Sequence, residues 1–194
     1  RTTEAFARII EEQTTRTLQA ADLRLQLAGE GIAQLAATGA LDQQSARTLL
    51  QEQIRQLPFL RAMWVMDEQG RIAYDSNKGN IGVDLADRAY FQIYRTQPRT
   101  LFYVGAPVRS RSSGGWLISA TRPLHSKDGA FQGIIAAALE PSYFDQLWRS
   151  VDLGDGGSTM LFRRDGTLMM RSPFDDALMG QAVPDPDVVA PLQS

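Results

Sequence analysis

Cysteine is absent from the sequence, and histidine occurs once, at His125. The first absence excludes disulfide frameworks, thiolate metal sites and cysteine nucleophiles. The second leaves Ser-His-Asp chemistry and His-based metal clusters without their parts. No apolar run reaches the roughly 18–20 residues that cross a bilayer as a helix. No proline precedes Pro58, so a long helix is free to form before it. Acidic residues are missing from one stretch only. Residues 88–127 hold seven basic side chains (Arg88, Arg95, Arg99, Arg109, Arg111, Arg122 and Lys127) and no Asp or Glu. The net charge of −2 is therefore a cancellation, with −3 over residues 1–87, +7 over 88–127 and −6 over 128–194. A basic segment inside an acidic chain reads as a solvated face or as a site for an anion. With a pI near 5.4 the whole chain does not suit nucleic acid.

What is present is ordinary globular composition, 43% hydrophobic and 22% charged over 194 residues. The chain begins at Arg1 and ends in "DPDVVAPLQS", and is read as a piece of a longer protein whose membrane anchors lie outside it. Residues 3–38 are expected to form one long helix. Leu18, Ala21, Leu25, Ala28, Ile32 and Leu35 recur at alternating spacings of 3 and 4, a heptad seam. That seam packs either on the helix's own domain or on a second copy. Gly29 and Gly31 each cost about 1 kcal/mol in a helix, so packing must hold that part. A second helix is expected near 42–56, ended by Pro58.

Beyond Pro58 the pattern changes to short strands and glycine turns. Strands are expected at 60–67, 71–76, 101–109, 116–124, 131–140 and within 158–172. Short helices are expected at 88–95, capped by Asp84 or Asp87, and at 141–151, with Pro141 in its first turn. The hairpin "WVMDEQGRIAYDS" (64–76) aligns with "MLFRRDGTLMMRS" (160–172) at a constant offset of 96, and "NIG" (80–82) is echoed by "LMG" (178–180). A tandem module follows from this match. The expected fold is α+β, a long N-terminal helix packed on tandem PAS-like antiparallel sheet modules, the second incomplete. The expected divisions are 1–57 for the two helices, 58–152 for a first module with a ligand pocket, and 157–194 for the opening of a second. "GDGGS" (154–158) reads as the linker between modules.

No catalytic arrangement has useful spacing, and neither a metal site nor a cofactor is expected. His125 precedes a hairpin turn and reads as a surface residue. The positive signal is an arginine–aromatic constellation. Arg88 and Phe91 share one face of the short helix, as do Tyr90 and Tyr94. Tyr103, Ser119, Thr121 and Arg122 come from the following strands. An arginine fork grips a carboxylate bidentately, and aromatic walls keep water out. Strand alternation puts Trp116, Ile118 and Ala120 on one face, expected against the long helix. Leu117, Ser119 and Thr121 then face the pocket.

The order "DRAYFQIYR", "LFYVGAPVRSRSSGGWLISATRPL", "GAFQGIIAAALEPSYFDQLW", "LFRRDGTLMMRSP" resembles the double Cache (tandem PAS-like) extracytoplasmic sensor domains of bacterial transmembrane receptors. It is most similar to those on diguanylate cyclases and sensor histidine kinases. The resemblance implies a membrane-distal pocket in residues 58–140, a membrane-proximal module from about 157, and a periplasmic location on an inner-membrane receptor. It implies a non-enzymatic role for this part, any cyclase or kinase activity lying outside the chain. Amino-acid-binding members carry R-x-W-[YF] on the short helix, and Arg88, Tyr90 and Phe91 fall on it. Their amine-holding Asp falls on Ala138 here, with Glu140 two residues on. The implied ligand is thus a carboxylate or other small anion. The alternative reading is a dimerisation or protein-interaction module, homodimeric through the N-terminal helix, with a vestigial pocket.

Overall fold

A computed structural model describes residues 2–111, 114–151 and 157–181. The elements are α1 (Thr2–Ala37), α2 (Gln43–Ile54), β1 (Leu60–Met66), β2 (Ile72–Asp75), α3 (Ala89–Thr96), β3 (Tyr103–Val104), β4 (Val108–Arg109), β5 (Trp116–His125), β6 (Phe131–Leu139), α4 (Pro141–Arg149), β7 (Thr159–Phe162) and β8 (Leu168–Ser172). This is the α+β class expected. The chain divides into two compact units. One comprises Gln19–Gly105 and Ser119–Leu139, the other Arg1–Leu18, Ala106–Ile118 and Glu140–Ser194.

The first of these units is built on an antiparallel sheet in the order β2-β1-β6-β5-β3. β6 runs beside β1 from Leu60↔Leu139 to Met66↔Ile134. Its residues from Gly133 to Leu139 are buried without a break, as suits a central strand covered on both faces. Ala21, Leu25 and Ala28 of α1 are fully buried and Ile32 nearly so. The heptad seam is therefore spent inside its own unit rather than on a second copy. The two helix glycines have a packing reason. A Cβ on Gly31 would meet Leu49 Cδ1 of α2 at 2.5 Å, and one on Gly29 would meet Leu124 Cδ2 of β5 at 3.3 Å. α2 starts at a capping box, Asp42 accepting from the Ser45 backbone while Ser45 accepts from Asp42. It lies along β1 and β2, where Gln43 donates to the Ala73 carbonyl and Gln51 to that of Ser76.

The second unit holds the β7–β8 hairpin, with α4 packed against β8; Phe144 and Trp148 of α4 are buried. Trp148 Nε1 donates to Thr14 Oγ1 of α1 at 3.2 Å. β4 pairs with the opening residues of β5 in the same unit.

The internal repeat is visible in each hairpin taken alone. Gly70 N donates to Asp67 O in the first turn and Gly166 N to Arg163 O in the second. The two glycines sit at φ +84 and +85. Each first strand shifts register at the equivalent step, Val65/Met66 and Leu161/Phe162. Gly82 N returns to Ile72 O just as Gly180 N returns to Leu168 O.

Two expectations of local structure need correction. The strand at 101–109 is two separate two-residue strands. Gly105 and Pro107 interrupt it, and proline has no N–H for a ladder. The N-cap of α3 is Arg88, without a side-chain cap, in place of Asp84 or Asp87. Asp84 instead accepts from Ala86 N and pairs with Arg71. Most of the "GDGGS" linker and the tail from 182 onward lie outside the described residues.

Candidate ligand site and family

α3 lays one side of its two turns on the sheet. Tyr90, Phe91 and Tyr94 are all buried. Tyr90 and Tyr94, one turn apart, reach the Ser/Thr side of β5. Tyr94 Oη and Thr121 Oγ1 are hydrogen-bonded at 2.8 Å. Thr121 Oγ1 is also 3.5 Å from the carbonyls of Tyr90 and Tyr103. Tyr103 stands directly across from Thr121 in the β3–β5 ladder. Next along, Gly105 N donates to the Ser119 carbonyl. A Cβ on Gly105 would lie 2.7 Å from Ser119 Oγ, 3.6 Å from the Tyr103 ring and 3.7 Å from Tyr90 Cβ. Glycine at 105 thus lets these three side chains converge. Trp64 of β1 closes the group, its ring edge-on to Tyr90 at 6.3 Å.

Of the seven residues expected at the site, Tyr90, Tyr103, Ser119 and Thr121 come together. Arg88 sits half-buried at the start of α3, its carbonyl accepting from Phe91 N and Gln92 N. Two are placed elsewhere. Phe91 is fully buried, packs on Phe131 at 6.1 Å and lies under the Arg95 guanidinium. Arg122 projects to the opposite face of β5 and pairs with Asp22 of α1 at 2.6 Å. That is the outcome strand alternation demands, since Thr121 and Arg122 cannot share a face. Trp116, expected on the face against the long helix, belongs to the other unit, where its Nε1 donates to Asp176 and the Arg109 guanidinium covers its ring.

Trp64 and Tyr94 are part of the cluster but were not among the seven. Tyr94 was signalled by its i, i+4 spacing from Tyr90. Trp64 had only the apolar run of "LRAMWVMD" to mark it.

The chemistry of the cluster is neutral. Burial pushes the Tyr94 phenol up to about 12, against the smaller opposing effects of the Thr121 bond and Arg122. Asp75, opposite Trp64 in the β1–β2 ladder, is the nearby acid in sequence register. Burial raises its pKa, although Asn77 N and Asn80 Nδ2 both donate to it. Among the described residues no group of His, Asp or Glu could hold a metal ion. No described helix is long and apolar enough to cross a membrane.

The family model of the Cache domain (dCache_1) matches residues 1–190. The chain is a Cache domain. Solved structures agree on the fold. The extracellular domain of the histidine kinase rpHK1S-Z16 superposes with a TM-score of 0.78 at 29% identity, over 90% of this chain and 70% of that one. The ligand-binding domain of the Pseudomonas fluorescens chemoreceptor CtaA, solved with L-isoleucine, gives 0.69 at 18% identity, over 90% and 68%. The sensor domain of the V. cholerae histidine kinase DctB gives 0.69 at 14% identity, over 94% and 69%. No curated protein sequence matches this Cache domain.

Proposed function

We propose that this Cache domain is the extracytoplasmic ligand-sensing part of a transmembrane signalling receptor. In this reading residues 58–152 form the membrane-distal module, and 157–194 open the membrane-proximal one. The ligand is a small carboxylate or related anion held by the distal module. The observation that carries the reading is the convergence of Tyr90, Tyr103, Ser119 and Thr121 beside the α3 N-terminus that bears Arg88. The acid-free charge of residues 88–127 supports an anion, and Ala138 offers no carboxylate for an amine. Ligand binding on α3 and β5 would shift α1 through the Arg122–Asp22 pair. Helix shifts of about 1–2 Å are an established way to carry such signals. A thermal-shift screen of carboxylates and amino acids tests the proposal, with Arg88→Ala as control. A stabilising anion whose effect the variant loses is the expected result. Equal responses from both proteins would refute it.

A second reading, self-association through α1, draws on Leu23 and Leu27. They are exposed one turn apart on the side of α1 away from its buried seam. Sedimentation of a Leu23→Glu, Leu27→Glu double variant tests it, a loss of self-association being the supporting result.

A further inference from the structure

Two polar atoms in the cluster stand out by having nothing to bond. Trp64 Nε1 and Ser119 Oγ are buried and lack a hydrogen-bond partner among the described residues. Trp64 is 6% exposed and Ser119 0%. Both border Tyr90, Trp64 through its ring and Ser119 through the space beside Gly105. Buried polar groups are nearly always hydrogen-bonded, so two orphans that both border Tyr90 point to an absent partner.

Their chemistry defines that partner. An indole N–H only donates, so Trp64 requires an acceptor. The serine hydroxyl both donates and accepts. An ammonium group has donors alone and leaves Trp64 unsatisfied. The buried carboxylate of this strand pair is Asp75, and both its oxygens already accept, one from Asn77 N and one from Asn80 Nδ2. An uncharged or anionic oxygen is the partner whose chemistry suits both Trp64 and Ser119.

We propose that Trp64 Nε1 and Ser119 Oγ form an oxygen-binding subsite. It takes a hydroxyl or carbonyl oxygen next to the ligand's carboxylate and so favours 2-hydroxy or 2-keto acids over 2-amino acids. This rests on the reading of the cluster as the ligand site, and deepens it by assigning the second polar contact. Trp64 and Ser119 then decide specificity, while Arg88 supplies the charge.

Three matched pairs of probes test it on the whole chain: lactate with alanine, malate with aspartate, and 2-hydroxyisocaproate with leucine. Melting temperature is followed for the wild type, Ser119→Ala, Trp64→Phe and Arg88→Ala, and indole N–H resonances are followed by NMR. The hydroxy acid of a pair should raise the melting temperature more than its amino acid. It should also move the Trp64 indole proton downfield, that resonance being assigned by its loss in Trp64→Phe. Ser119→Ala and Trp64→Phe should each weaken the response roughly tenfold, about what one hydrogen bond to a buried group is worth. Without ligand, Ser119→Ala should melt no lower than the wild type, because it deletes an unpaired hydroxyl. A lower melting temperature for unliganded Ser119→Ala overturns the proposal, as does a preference for the amino acids. If Arg88→Ala loses the response while the other two variants keep it, the subsite fails and the sensor reading stands. If no probe stabilises the wild type, both fail.

Discussion

Replacing Tyr94 with phenylalanine removes one oxygen from the centre of the cluster, and its effect should change sign with pH. At neutral pH the loss is the 2.8 Å bond to Thr121. Thr121 Oγ1 keeps only two long contacts, at 3.5 Å, to carbonyl oxygens. A buried hydroxyl left so poorly satisfied costs about 1–2 kcal/mol, and the variant should be less stable by that amount. In alkali the wild type carries a burden of its own. Burial raises the folded phenol from 10.0 to about 12. A folded pKa above the unfolded value contributes stability below pH 10 that is lost as pH rises toward 12. The linkage removes about 1.4 kcal/mol by pH 11 and about 2 kcal/mol by pH 12. Phenylalanine has no proton to lose. The two stability curves should therefore cross near pH 11, the variant being the more stable above it. Urea unfolding followed by circular dichroism from pH 7 to 12 measures this directly. The other titrating groups are common to both proteins and cancel in the difference. Parallel curves through pH 10–12 would refute the buried, protonated Tyr94 on which the neutral character of the cluster depends.

The repeated hairpin turns offer a matched pair. Gly70→Ala and Gly166→Ala meet the same positive φ, but a Cβ at 70 lies 2.6 Å from Ala86 Cα, whereas at 166 nothing is within 4 Å. Backbone strain of about 1 kcal/mol applies to both. Backbone overlap should make Gly70→Ala the costlier by at least as much again in denaturant titration. In α1, Leu25→Ala should destabilise the fold by about 2–5 kcal/mol, the range for a fully buried leucine. An unchanged melting temperature with altered sedimentation would instead assign that seam to a second copy.

Features that depend on neighbours in sequence were legible before the structure, and those that depend on tertiary company were not. The long helix, the Pro141 helix start and the hairpins follow from proline, glycine and period, and they fall within a residue or two of expectation. The repeat was legible because its turn chemistry is local. Each glycine's donated bond and positive φ are set within five residues. Ser119 and Thr121 were legible through alternation on a single strand. The same alternation, carried one residue further, excludes Arg122, whose partner lies 100 positions away at Asp22. The break at 105–107 was half local, since Pro107 has no N–H for a ladder. The other half was hidden, because Ser119 Oγ occupies the space a Cβ at 105 would need, and no local pattern records that contact. Trp64 became notable only through the bond it lacks.

The seam of α1 shows how the choice between intramolecular packing and a coiled coil is made. A 3,4 spacing of apolar residues serves both equally, so periodicity alone leaves them open. Gly29 and Gly31 separate them. Each weakens the helix by about 1 kcal/mol and so calls for a close neighbour. Here those neighbours belong to the same chain, Leu49 at 31 and Leu124 at 29. The seam of α1 is therefore assigned to the chain's own core, where Ala21, Leu25 and Ala28 are buried.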